Sequence, residues 1–463
     1  MLDAALFPYG YLPEASLPDY AVEAGALERP VLVDAGSPRA AVVLVTMTAR
    51  APGGLTTTAP LPLVAADALD ADVAVTRAHT ASTATALMQA TDTAWSEVGQ
   101  NLPRFSHPTR ALRIDGVGSN SIRNPRGAGA VAPSTLPTNW SVGGGGTGSN
   151  GLTLTIVDTG TDSGIDYVTI QIAGTSTATT GGALNFEATT SLPVVAGEAW
   201  SGSFFYMQEP GFPHATAGLT ITHRLYAVSG SPTDHTGSTV TPGAAWQRVS
   251  VSRTMPTGVT FLLPRLRYAA TVASVISTRI RLGVAQVALL TPPAPLLPAV
   301  GALAATSMAV DVPIWTPGEF PRRGCIVIRG IYDAAAGATA LGLLQLDNAT
   351  DNFRVVARVP AGGLQPEALV VSGGTTTATL TPSGSFVAGS PFAALLAWSP
   401  GGVRFGTSVG GVSSATIAMP LGISRAVLGH ANAAGTLPMN GALTADFYDF
   451  WPSAAEAAAL LAS

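Results

Sequence analysis

The residues of this 463-residue chain that could do chemistry fall into three sets. The first is a series of arginines spaced two apart inside runs of β-branched and aromatic residues: Arg224 with Tyr226, Arg265 with Arg267, and Arg279 with Arg281. Phe204 and Tyr206 have the same spacing. In a strand, residues two apart share a face. If these strands lie in one sheet, Tyr206, Arg224, Tyr226, Arg265, Arg267, Arg279 and Arg281 form one face. Guanidinium forks bind carboxylates and phosphates bidentately, so that face would suit an acidic polysaccharide. An ordinary solvated sheet face carries the same pattern.

The second set is carboxylates. "DTGTDSGID" brings Asp158, Asp162 and Asp166 into or beside one loop, and "LDNATDN" brings Asp347, Asn348, Asp351 and Asn352 into another. Clustered oxygen ligands hold calcium, so Asp158, Asp162 and Asp166 form the candidate metal site. Calcium is the only cofactor the residues suggest. Neither cluster has EF-hand spacing, and Asx residues are commoner simply as turn formers. Glycoside hydrolysis needs two carboxylates roughly 5–10 Å apart. Asp166, Glu187, Glu209 and Asp446 are scattered, and no spacing unites them.

The third set leads nowhere catalytic. The histidines at 79, 107, 214, 223, 235 and 430 have no metal-binding spacing. Cys325 is the only cysteine and sits in "GCIVIRG", a buried strand by composition. "GTGSNG", Gly146 to Gly151, matches a dinucleotide fingerprint, but a glycine loop precedes it and the strand "LTLTIV" follows, the reverse of what phosphate binding requires. The seven tryptophans could stack on sugars, but core packing is their commoner role.

The elements that must position these residues are strands. Apolar runs of four to eight residues, such as "YVTIQIAG", "LTITHRLYAV" and "STRIRLGVAQVAL", recur between Gly, Pro, Asn and Asp. That spacing predicts an all-β chain of antiparallel sandwiches. Ser453 and Glu456 form a capping box before an Ala-Leu run and predict a short C-terminal helix. The alanine-rich "VAADALDADVAV" suggests a second. Proline- and glycine-rich stretches at Arg123 to Gly146 and Thr291 to Pro298 divide the chain. The expected parts are a β-rich N-terminal region, 1–117; a jelly roll, 118–291; a proline-rich linker, 292–298; and a second sandwich, 299–463.

Only 11% of residues are charged, every basic one is arginine, and the net charge is −5. That balance argues against a nucleic-acid partner, which needs a basic surface. The amino terminus lacks the basic and apolar regions of a signal peptide. The most apolar segment, "LTPPAPLLPAVGALAATSMAV", is broken by four prolines, so membrane insertion is not expected.

Several segments, in order, resemble tailed-phage fibre and virion adhesin proteins. "VTRAHTASTATALMQATDTAWSEVGQNLPRFSH" (75–107) resembles a recurrent block in which an Arg-Ala strand leads to a Pro-Arg-Phe turn. "LRIDGVGSNSIRNPR" (112–126) resembles the block that introduces a carbohydrate-binding jelly roll, with Ile114, Asp115 and Asn120 to Asn124 at its positions. "TLPTNWSV", "VAGEAWSGSFFYM", "WQRVSVSRTMPTG" and "RIRLGVAQVAL" resemble that module's strands, with Trp140 as its core anchor. The C-terminal third, with "PFAALLAWSPGGVRFGTSVGG" and "LTADFYDFWPSAAEAAALLA", resembles a concanavalin- or laminin-G-type sandwich.

The resemblance covers 75–463. It implies a fibre, head spike or adhesin at the surface of a tailed phage or gene transfer agent. The implied partners are host capsule or lipopolysaccharide and other virion proteins, and the implied assembly is a homo-oligomer, most often a trimer. It carries no catalytic residue onto this chain. The first 74 residues match none of it; by position they would attach to the virion. A purely structural virion protein and a polysaccharide depolymerase are the rival readings.

Overall fold

The computed structural model describes residues 27–31, 43–47 and 60–463, apart from 66–67, 78–82, 144–149, 180–181, 189–191, 213–217, 228–230, 241–242, 290–293, 334–335 and 337–338. Its sheets are antiparallel throughout, and Ala454–Ala462 is the one helix among the described residues. No helix there is long and apolar enough to cross a membrane. The capping box forms as expected: Glu456 N donates to Ser453 Oγ at 3.2 Å and Ser453 N donates to Glu456 Oε2 at 2.7 Å. Ala457 and Leu461 press against Cys325, Val327 and Leu395. Cys325 is fully buried, and burial pushes its thiol up to about 12.

The second helix does not form. The described residues of 64–75 belong to the strands Leu61–Ala65, Ala68–Leu69 and Val73–Thr76, with Asp70, Ala71 and Asp72 in the turn between the last two. The last alternates buried and exposed residues, the period of a half-buried strand, and pairing with Val312–Trp315 outweighs alanine's helix preference.

The middle sandwich has two sheets. One has five strands in the order Leu152–Asp162, Ile165–Thr175, Val275–Leu289, Ala199–Gln208, Gln247–Thr254. The other runs Ser141–Gly143, Ala183–Asn185, Val259–Ala269, Gly218–Ala227, Thr233–Val240, with Leu192–Pro193 beside Val259–Ala269. Ile170, Ile280 and Phe204 from the first sheet meet Leu266, Leu262 and Ile221 from the second in one core. Trp140 is buried there, edge-on to Phe186 with centroids 5.0 Å apart, and its Nε1 donates to Asn124 O at 3.0 Å. The proline-rich stretch before it is held by Asn124, whose side chain donates to Ala128 O and Thr138 O and accepts from Ala128 N.

The second sandwich packs a seven-stranded sheet on an eight-stranded one. Both sheets recruit strands from before the middle sandwich: Val73–Thr76 in the first, Leu61–Ala65 and Leu112–Ile114 in the second. Leu63, Val75, Leu112 and Ile114 share a core with Trp398, Phe405 and Leu443. The sheets thus do not follow the sequence division at 117. The middle sandwich is inserted between strands of another, and at its neck Gly118–Asn120 pairs with Thr306–Met308.

Nor are residues 294–298 a free spacer. Leu296–Leu297 is buried and pairs with Thr85–Gln89. Two adjacent leucines have more to gain by burial than a spacer gains by solvation. Residues 292–293 of the expected linker lie outside the described residues.

Buried polar residues lock this junction. Arg77 Nη1 donates to Asp311 Oδ1 at 2.6 Å, and Arg104 donates to Asp311 Oδ2 and pairs with Asp115 Oδ2 at 2.8 Å. All four side chains are at most 4% exposed. Asp115 N donates to Asp311 Oδ2, and Arg113 joins Asp115 to Asp333. Asn120 bonds four backbone groups: Nδ2 donates to Ala285 O and Leu296 O, and Oδ1 accepts from Ile122 N and Val287 N.

Candidate arginine-bearing faces of the middle sandwich

The structure divides the arginines between two sheets. Alternation places each pair correctly on one face of its own strand. However, Arg279 and Arg281 belong to the five-stranded sheet, whereas Arg224, Arg265 and Arg267 belong to the six-stranded one. The single seven-residue face expected from the sequence does not form. Tyr206 leaves it altogether: it is fully buried between the sheets with Phe204, and burial pushes its phenol up to about 12.

On the outer face of the five-stranded sheet, Val275–Leu289 alternates buried Ile280 and Leu282 with half-buried Arg279 and Arg281. Register sets Arg279 beside Gln171 and Arg281 beside Thr169. Arg279 Nε donates to Gln171 Oε1 at 3.2 Å, and its guanidinium lies 4.1 Å from the centroid of Phe212. Arg281 lies 4.6 Å from the centroid of Tyr167 and donates to Asp162 Oδ2 at 2.8 Å and Glu209 Oε1 at 3.4 Å. Burial pushes the Tyr167 phenol up, Arg281 opposes this, and Asp158, Asp162 and Glu209 reinforce it. Trp246 extends the aromatic surface, 6.1 Å from Tyr167. Beside them Gln208 to Phe212, with Gly243 and Ala244, line a hollow of about 350 Å³. The strand pair Thr85–Gln89 and Trp95–Val98 lies against another part of this face, where Leu87 and Trp95 pack on Ile165 and Phe205.

On the six-stranded sheet, register sets Arg265 beside Thr222, Arg267 beside Thr220 and Asp234 beside Arg224. Arg265 is nearly buried and pairs with Asp234. Burial pulls Arg265 below its ordinary value, Asp234 opposes this, and the charges of Arg224 and Arg267 add to the depression. Arg224 lies 5.8 Å from the centroid of Tyr226.

The three carboxylates of the candidate calcium site do not converge. Asp162 bonds Arg281 and Ser163, while Asp166 bonds Arg126 Nη1 at 2.6 Å and Thr161. Asp158 sits opposite Thr169. Asp162 and Asp166 are thus paired with guanidiniums, and no group of three metal-ligating side chains converges among the described residues. Asp347 and Asp351 likewise bond Arg425 and Arg354. The scattered carboxylates also take arginine partners: Glu187 with Arg123, Asp446 with Arg329. His79 and His214 lie outside the described residues, as does most of "GTGSNG".

Sequence reasoning missed Phe212, Tyr167, Gln171 and Asp234 as partners of these arginines. Alternation alone places Tyr167 and Gln171 on one face of their strand. Phe212 sits in a loop that no period describes.

The two jelly-roll-like sandwiches define an all-β class of protein. No family model matches the chain, and no curated protein does. Similar solved structures include the CBM40 of a Ruminococcus gnavus IT-sialidase bound to alpha2,6 sialyllactose, at 15% identity over 30% of this chain and 84% of that one, TM-score 0.25. A CBM4 matches at 18% over 36% of this chain and 99% of that one, TM-score 0.25. The CBM22-1-CBM22-2 tandem of Paenibacillus barcinonensis Xyn10C matches at 13% over 74% and 94%, TM-score 0.26. Likeness at this level carries no argument.

Proposed function

We propose that the chain binds polysaccharide without cleaving it, through the outer face of the five-stranded sheet. The observation that carries this reading is the pair Arg279 and Arg281, each stacked on an aromatic ring beside an open hollow. Rings present flat apolar surface to sugar faces, guanidinium forks donate to ring oxygens, hydroxyls or carboxylates, and Glu209 and Asp162 accept from hydroxyls. Stacking holds each fork before the ligand arrives, which lowers the ordering cost of binding.

The resemblance to virion adhesins supports a place on a phage-like particle, with host capsule or lipopolysaccharide as the target. Many copies would then turn weak single sites into firm attachment. The test is a glycan array and titration with the intact chain. Arg281→Gln and Phe212→Ala should each weaken binding about tenfold, the worth of one charge-assisted contact. Binding that both variants leave intact, or no binding to any surface glycan, defeats the proposal.

A further inference from the structure

The six-stranded sheet carries a constellation of different charge on the opposite side of the sandwich. We infer that Arg224, Arg265 and Arg267 form a second site, one that takes an oxyanion. Four observations point to it. Strand register sets the three guanidiniums on one outer face, around the pairing of Thr222 with Arg265. The face is lopsided, with three positive charges to the single carboxylate of Asp234, whereas Arg279 and Arg281 across the sandwich share Asp162 and Glu209. Arg265 is only 4% exposed, yet Asp234 is its one charged partner, and its Nε, like that of Arg224, is buried with no acceptor. The Arg267 side chain makes no hydrogen bond or ion pair among the described residues.

Buried donors without acceptors are costly, and clustered positive charge adds repulsion. An oxyanion relieves both. It offers several acceptor lone pairs to donors that already face one way, and it balances the excess charge. Tyr226, beside Arg224, adds apolar surface for whatever carries the anion. The class of ligand is therefore a carboxylate or sulfate, either as the acidic substituent of a sugar or free in solution. The site does not rest on the Arg279–Arg281 reading, because the two faces share no residue.

The test is calorimetric titration of the intact chain with a hexuronate trimer, a neutral hexose trimer and inorganic sulfate. The uronate or the sulfate should bind, with affinity falling as ionic strength rises. Tighter binding of the uronate than of sulfate identifies a glycan-borne acid; equal binding identifies the free ion. Arg224→Gln and Arg267→Gln, both half-buried and outside the core, should keep the circular dichroism of the parent and each lose about tenfold in affinity. Arg281→Gln separates the two sites: loss of anion binding in that variant alone, with Arg224→Gln and Arg267→Gln unaffected, overturns the second site. So does the absence of any anion binding at millimolar concentration.

Discussion

Replacing Asp311 with alanine should unfasten the strands before residue 117 from the sandwich they complete. Asp311 accepts from Arg77 and Arg104, both buried, and from the backbone of Asp115. At a charge separation of about 4 Å and an effective dielectric near 20, each direct pair is worth about 4 kcal/mol. Removing the carboxylate also removes its own desolvation cost, several kcal/mol, so the two lost attractions are partly offset. The expected net loss is about 3–5 kcal/mol, the range for a buried pair broken from one side. Burial already pulls Arg77 below its ordinary value, so its charge depends on this partner. Urea unfolding followed through Trp315 and Trp398, both buried in this sandwich, reads the loss. Limited proteolysis should show new cuts between residues 60 and 117. The combined change Arg77→Met, Arg104→Met and Asp311→Leu should recover most of the stability, since an apolar cluster can replace an ionic one. A loss below about 1 kcal/mol for Asp311→Ala, with no new cleavage, refutes the reasoning.

Two further outcomes follow from His223 and His430, both buried, which burial pushes down to about 3 and about 4. Unfolded, each takes its proton near 6.5. The unfolded state therefore binds more protons below that value, so the stability is complete above pH 6.5 and falls as pH falls toward 4. By pH 4.5 each histidine should account for about 3 kcal/mol, and His223→Leu should lose less between pH 7.5 and 4.5 than the parent; equal losses in urea midpoint would contradict this. His223 also crosses toward Gly202 on the facing sheet, where an added Cβ would stand 2.5 Å from its Nε2. Gly202→Ala should cost about 1–3 kcal/mol by overpacking, read from the thermal midpoint, and an unchanged midpoint would show that the imidazole has room to move.

What the sequence reveals of this molecule is local. The period of two marks nearly every strand, and Ser453 with Glu456 marks the helix start. The alternation of Arg279 with Ile280 and Arg281 with Leu282 shows which way each side chain faces. It does not show which sheet the strand joins, because pairing is settled by residues far apart in the chain. That is why five arginines expected together divide between two faces. The polar residues between 75 and 126 teach a related lesson. Arg77, Arg104, Asp115, Asn120 and Asn124 are buried and bonded, so they mark where backbone and charge must be satisfied, the first four inside the junction and Asn124 in the entry loop of the middle sandwich. Nothing in their spacing announces Asp311, the partner of Arg77, Arg104 and Asp115 some way along the chain.

The insertion of one sandwich between the strands of another also imposes an order on synthesis. Leu61–Ala65 and Leu112–Ile114 leave the ribosome long before Gly441–Tyr448, the strand both must join. At roughly 5–20 residues per second, that is a wait of tens of seconds. Meanwhile the middle sandwich emerges whole and has every partner it needs. Arg77 and Arg104 stay solvated until Asp311 arrives, and their charge helps keep the waiting strands soluble. The same ions that clasp the finished junction therefore guard its unfinished half against premature association.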